Sequence, residues 1–216
     1  MKITIQSEVF KKIHPKLRVV FIHAKGIDNK SKVQKANHLL AEVQKVILLS
    51  FNKDTAKTYL LVAPWNVAKE EFGRKAKHYN TSVELLLQKT LRKQKLQTKD
   101  TVTALLRYLA LKHIVPCGAD DPAKVKGDIT FELKKEDLQY RDAKRILGKK
   151  LDYWKNNTTS LKPNSTSALI HLEFLPPVSS AKQKEIIAET IELIEAFCGG
   201  STTTVVLDKK KNNVTA

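Results

Sequence analysis

The stretch from Asp100 to Asp121, DTVTALLRYLALKHIVPCGADD, constrains what can form around it. Val102, Leu105, Leu106, Leu109 and Ile114 recur at near-helical spacing, which reads as a buried helix that other elements must pack around. Asp100 or Thr101 can accept bonds from the first free N–H groups of that helix. Pro116 stops it, because proline cannot donate the next backbone bond and disfavours the helical region in the residue before it. The residues that follow, Cys117-Gly118-Ala119-Asp120-Asp121-Pro122, are small, permissive and acidic. They are expected to form a turn that carries two carboxylates beside a pocket.

The flanks alternate between strand and helix patterns. Lys2 to Gln6 alternates as a short strand. Leu17 to Ala24 is β-branched, aromatic and bounded by Pro15 and Gly26, and reads as a buried strand. Val33, Ala36, Leu40, Val43 and Ile47 make one face of an amphipathic helix over 30–49. A second helical stretch carries Leu60, Leu61 and Trp65, with Pro64 suited to its first turn. Thr81-Ser82-Val83-Glu84 is a capping-box pattern that opens a third helix. Strands are expected over 128–133, 168–174 and 202–207. A helix opened by Ser180 and ended by Gly199-Gly200 precedes the last of these. The pattern indicates an α+β chain of layered mixed sheets and packed helices. Residues 1–208 would form one domain, or two interleaved smaller ones, and 209–216 a disordered basic tail.

Charge narrows the partners. The chain of 216 residues has a formal charge of +17, which attracts polyanions over long range. Arg141, Lys144, Arg145, Lys149, Lys150 and Lys155 are interleaved with Tyr140, Tyr153 and Trp154. Cations suit phosphates and rings suit exposed bases, so this segment is a candidate nucleic-acid surface; the competing reading is an amphipathic helix with solvated lysines. No apolar run is long enough to span a membrane, and the start lacks the charged-then-apolar pattern of a signal peptide. Cys117 and Cys198 are far apart, with no CxxC and no clustered histidines. A disulfide framework or zinc site is therefore not expected, and a cytoplasmic setting is.

The sequence has no phosphate-binding glycine loop, no GxSxG elbow and no HExxH, and no cofactor is implied. Cys117 with His113 is a conceivable nucleophile and base, although a proline break separates them. Asp120 and Asp121 are candidate water-holding carboxylates, against the plainer reading of a turn and cap before Pro122.

Four segments together resemble the B3/B4 domain of the phenylalanyl-tRNA synthetase beta subunit, and more closely the free-standing proteins made of that domain alone. They are LRVVFIHAKGIDN (17–29), WNVAKEEFGRKAKHYNTSVELLLQKTLRKQKL (65–96), DTVTALLRYLALKHIVPCGADDPAKVKGDI (100–129) and ALIHLEFLPP (168–177), the last followed by a helix ending in CGG. The resemblance implies a B3/B4-like fold, and an activity that hydrolyses tyrosine wrongly attached to the phenylalanine tRNA. It also implies a pocket around residues 106–121 and the strand 168–174. Where the synthetase has Thr-Asn-Tyr, this chain has Leu106-Arg107-Tyr108; Pro116 is kept, and Gly118 stands in place of a histidine. The acidic residue that reads the tyrosine hydroxyl falls near Glu173 or His171, and a basic run in the free-standing proteins is replaced by Thr158-Thr159-Ser160.

The resulting expectation is a protein that binds tRNA or aminoacyl-tRNA, with hydrolysis of mischarged tRNA in trans as the implied activity. Arg107, Tyr108, Pro116, Cys117, Gly118, Ala119, His171 and Glu173 would form the pocket. Arg107 would touch the ester or phosphate, and Asp120 or Asp121 would position water. The alternative is a non-catalytic RNA-binding or protein-interaction module that keeps the fold without the chemistry.

Overall fold

The structure is a computed structural model that describes residues 1–135, 137–149 and 158–215. Its centre is an antiparallel four-stranded sheet in the order β3 (Cys117–Asp120), β7 (Ser167–Phe174), β2 (Arg18–Lys25) and β8 (Ser201–Leu207). β2 and β7 are fully paired, from Arg18 opposite Phe174 to Lys25 opposite Ser167. A strand flanked on both sides and covered on both faces must be apolar throughout, and Val19, Val20, Phe21, Ile22 and Ala24 are all buried.

Side-chain alternation divides this sheet between two cores. Val20, Ile22, Ala24, Ala168, Ile170, Leu172 and Phe174 face a helical layer. That layer holds α2 (Val33–Ser50), α5 (Ser82–Leu91), α6 (Thr101–His113) and α7 (Ser180–Cys198). Val19, Phe21 and Leu169 face the opposite way, toward a five-stranded sheet. Its order is β6 (Ile146–Lys149), β5 (Asp137–Arg141), β4 (Ile129–Lys134), β1 (Lys2–Ile5) and β9 (Asn213–Thr215), with β1 and β4 parallel. Helices α1 (Ser7–Lys12) and α4 (Ala63–Glu70) close this second core with Val9, Phe10, Trp65 and Ala68. The chain is thus a mixed α+β fold of two sheets and packed helices.

Helix boundaries follow local chemistry. Asp100 caps α6 by accepting from the Thr103 N–H at 2.9 Å, and Ile114 ends the helix in a left-handed conformation at φ 52°. The Thr81 box at α5 forms in both directions with Glu84. Pro64 lies in the first turn of α4, and α3 (Lys53–Thr58) precedes it as a separate short helix. Gly200, at φ 81°, lets the chain turn from α7 into β8; a Cβ there would come within 2.2 Å of the Lys25 carbonyl oxygen.

Four expectations are corrected. Residues 117–120 form an edge strand instead of a turn, because β7 offers a free edge to which this apolar-alternating segment pairs. The segment after Lys134 contains strands β5 and β6 where a helix was the competing reading. Leu138 and Tyr140 are buried against the second core while the outward residues are polar, a two-residue period. Residues 213–215 are not a disordered tail: they pair with β1, and Val214 packs against the second core. The cap of α7 is Ser179, one residue before Ser180.

Candidate functional site

The residues expected to form one pocket are divided by the central sheet. Antiparallel partners project to the same face, so the register places Asp120 with Leu169, Gly118 with His171, and His171 with Phe21. These lie on the side of the second sheet, as does Glu173 opposite Val19. Cys117 and Ala119 alternate to the helical side, where Arg107 and Tyr108 also sit on α6. Asp120 and Arg107 therefore do not share a cavity.

On the helical side, Arg107 Nη1 donates to the Leu96 carbonyl at 2.6 Å. Burial lowers its proton affinity, and the Asp100 charge works against that shift. By that bond to Leu96, Arg107 ties α6 to the α5–α6 connection. Tyr108 lines a groove of about 690 Å³ between α2 and α6, under the Lys112 ammonium. Cys117 Sγ donates to the Leu106 carbonyl at 3.2 Å, and burial, with the Glu173 charge, pushes its thiol up to about 12. His113 Nε2 is 2.8 Å from Glu189 Oε2 on α7. No thiolate–imidazole pair is assembled there.

On the inter-sheet side, Asp120 is buried and accepts at Oδ2 from the Tyr140 hydroxyl at 2.7 Å. The Thr159 hydroxyl donates to its Oδ1. Asp121 is buried as well: Oδ2 accepts from Ser165 at 2.7 Å and pairs with Lys124 at 3.2 Å, and Oδ1 accepts from the Ala123 N–H at 3.1 Å. Its own N–H donates to the Thr159 carbonyl at 2.7 Å. Thr159 thus staples the 158–166 loop to the end of β3 through both aspartates. This arrangement holds backbone; the turn-and-cap reading describes Asp121 well, and neither carboxylate stands open to a water.

Between the sheets, His171 and Glu173 are fully enclosed at 0% and 2% exposure. Burial holds the His171 imidazole well below its ordinary value, so the ring is neutral. The His171 ring meets the Phe21 ring edge-on at 6.5 Å, and the Glu173 N–H donates to the Pro116 carbonyl at 3.0 Å. Tyr140, Thr159 and Ser165 had no place in the expected pocket; Tyr140 reaches Asp120 from the second sheet, and Thr159 and Ser165 reach Asp120 and Asp121 from the loop before β7.

The basic segment is partly neutralised. Arg145 Nη2 pairs with Asp142 at 3.0 Å and donates to the Lys124 carbonyl at 2.7 Å. Arg141 Nη1 lies 3.7 Å from Glu132. Lys144 and Lys149 are exposed, with Lys134 and Lys135 on the same meander. Tyr140 is buried on Asp120 and is not a ring for bases. Lys150, Tyr153, Trp154 and Lys155 lie outside the described residues.

Among the described residues no group of three metal-ligating side chains converges, and no helix is long and apolar enough to cross a membrane. Compared with known proteins, the chain matches no family model and no curated protein.

Proposed function

We propose that this protein binds RNA, with tRNA as its preferred partner, on a fold of the B3/B4 type. The carrying observation is the charge: +17 overall, with exposed Lys134, Lys135, Lys144 and Lys149 on the β4–β6 meander and Arg141 and Arg145 held beside them by acidic neighbours. The candidate water-positioning carboxylates are spent on internal bonds, which favours binding without hydrolysis at Asp120 or Asp121. Titrating labelled tRNA tests the reading: the wild type binds, and Lys144→Glu with Lys149→Glu weakens binding. Absence of tRNA binding contradicts it.

A second reading is hydrolysis of mischarged tRNA in trans, using the seam between the sheets for the aminoacyl group. It is favoured by one observation: neutral His171 and the buried Glu173 share the sheet face that meets Asp120 and Tyr140. Its test is deacylation of tyrosyl-tRNA(Phe), with Glu173→Gln as the comparison. Turnover that falls in the variant supports this reading, and no turnover leaves a binding protein.

A further inference from the structure

An edge strand presents a row of backbone N–H and C=O groups that another strand can meet. Among the described residues the two sheets have four edge strands, and three are short: β3 and β6 have four residues each and β9 has three. β8, the outer strand of the central sheet, has seven, STTTVVL. Its register with β2 is unbroken from Ser201 opposite Lys25 to Leu207 opposite Val19, so no bulge turns it away. It holds neither a charge nor a proline. Lysine, proline and bulges are the usual guards against strand addition, and β8 carries none of them.

The surroundings of β8 fit a second copy of this chain better than a polyanion. The Thr202 hydroxyl donates to Glu195 Oε1 at 2.8 Å, which sets the Glu195 flank of α7 beside the strand. Ile187 and Ile191 precede Glu195 at four-residue steps on that flank, and both are only half-buried. Glu192 and Glu195 are exposed near the end of α7 and Lys184 near its start, none with an ion-pair partner among the described residues. Exposed carboxylates there oppose a phosphate backbone. At the other end of β8 the turn holds Lys209, Lys210 and Lys211. The strand therefore runs from an end where Glu192 and Glu195 stand with Lys25 and Lys32 to an end dominated by lysine. An antiparallel copy sets each lysine turn against the carboxylates of the other chain and keeps the two turns apart. The charge of +17 on each copy opposes association, but at physiological ionic strength it is screened beyond about 8 Å.

We propose that β8 pairs antiparallel with β8 of a second copy about a two-fold axis at Thr204, joining two four-stranded sheets into one. Thr202 then lies opposite the partner's Val206, and Thr203 opposite the partner's Val205. These are β-branched pairs with no like charges facing each other. Lys209 falls beside the partner's Gly199, at the negative end of α7, and the Ile187 and Ile191 flanks of the two α7 helices close over the new strand pair.

The test is sedimentation equilibrium of the full chain from micromolar to submillimolar concentration, with hydrogen exchange at both extremes. The expected mass rises from one chain to two, and exchange of the β8 amides slows with concentration while that of β3 does not change. Thr204 is exposed, so Thr204→Lys leaves the fold intact, which circular dichroism checks. It sets two lysines against each other at the axis, and association falls by about tenfold or more. A chain that stays single at every concentration overturns the proposal. So does a dimer whose β8 amides exchange as in the single chain, or a Thr204→Lys variant that associates as the wild type.

Discussion

The hydroxyl of Tyr140 on β5 reaches Asp120 on β3 at 2.7 Å, a buried bond that joins the two sheets at one edge. The same carboxylate receives the Thr159 hydroxyl, so one aspartate gathers the outer sheet, the central sheet and the following loop. Its burial is thus accounted for by structure.

Removing that hydroxyl leaves a buried carboxylate short of a donor. Tyr140→Phe is expected to destabilise the fold by about 1–3 kcal/mol in urea unfolding. Burial, then the Asp120 charge, also raises the Tyr140 phenol well above 10. The neutral phenol favours folding, so this contribution is whole below pH 10 and is lost as pH rises above it. A Tyr140→Phe variant as stable as the wild type would refute the tie.

Lys69 on α4 and Glu84 on α5 form an ion pair at 6% and 8% exposure, and Glu84 also completes the Thr81 capping box. Truncating one partner strands the other's charge. Lys69→Met or Glu84→Gln should each cost about 3–5 kcal/mol, while the double variant costs less than their sum. A double-mutant cycle by denaturant unfolding measures the coupling, and strict additivity would count against the pair.

His171 gives the fold a pH dependence. Its folded value lies well below the ordinary 6.5, because burial penalises the charged ring. The contribution is therefore whole above pH 6.5 and is lost as pH falls below it, at up to about 1.4 kcal/mol per pH unit for one proton. His113, lowered chiefly by burial, adds in the same direction. The His171 ring-proton resonance should stay fixed as pH is lowered through 6.5 while the fold persists; ordinary titration there would contradict its enclosure.

The thiols should be inert. Burial is the largest cause of the rise to about 12 at both Cys117 and Cys198. Native protein is expected to react with a disulfide reagent only at the rate of opening, and fast labelling at neutral pH would oppose this placement.

Much of the fold was legible because its signals are local. The Thr81 box, the apolar face of α2 and the β-branched run of β2 each carry their own period. β9 was not legible, since only Val214 in its three residues is apolar enough to dock and its partner β1 lies at the other end of the chain. The division of the expected pocket was hidden for another reason. Residues 117–120 read as a turn would bring Cys117 and Asp120 together; paired as a strand, alternation sends them to opposite faces. The bond of Arg107 to the Leu96 carbonyl was not legible either, because a backbone acceptor leaves no mark in composition.

The central claim is RNA binding through the basic surface, and its most direct measurement is tRNA affinity against salt. Between about 50 and about 200 mM, log affinity should fall linearly with log salt, and Lys144→Glu with Lys149→Glu should flatten that line by roughly two phosphate contacts. Affinity that is absent, or that does not change with salt, would contradict the account.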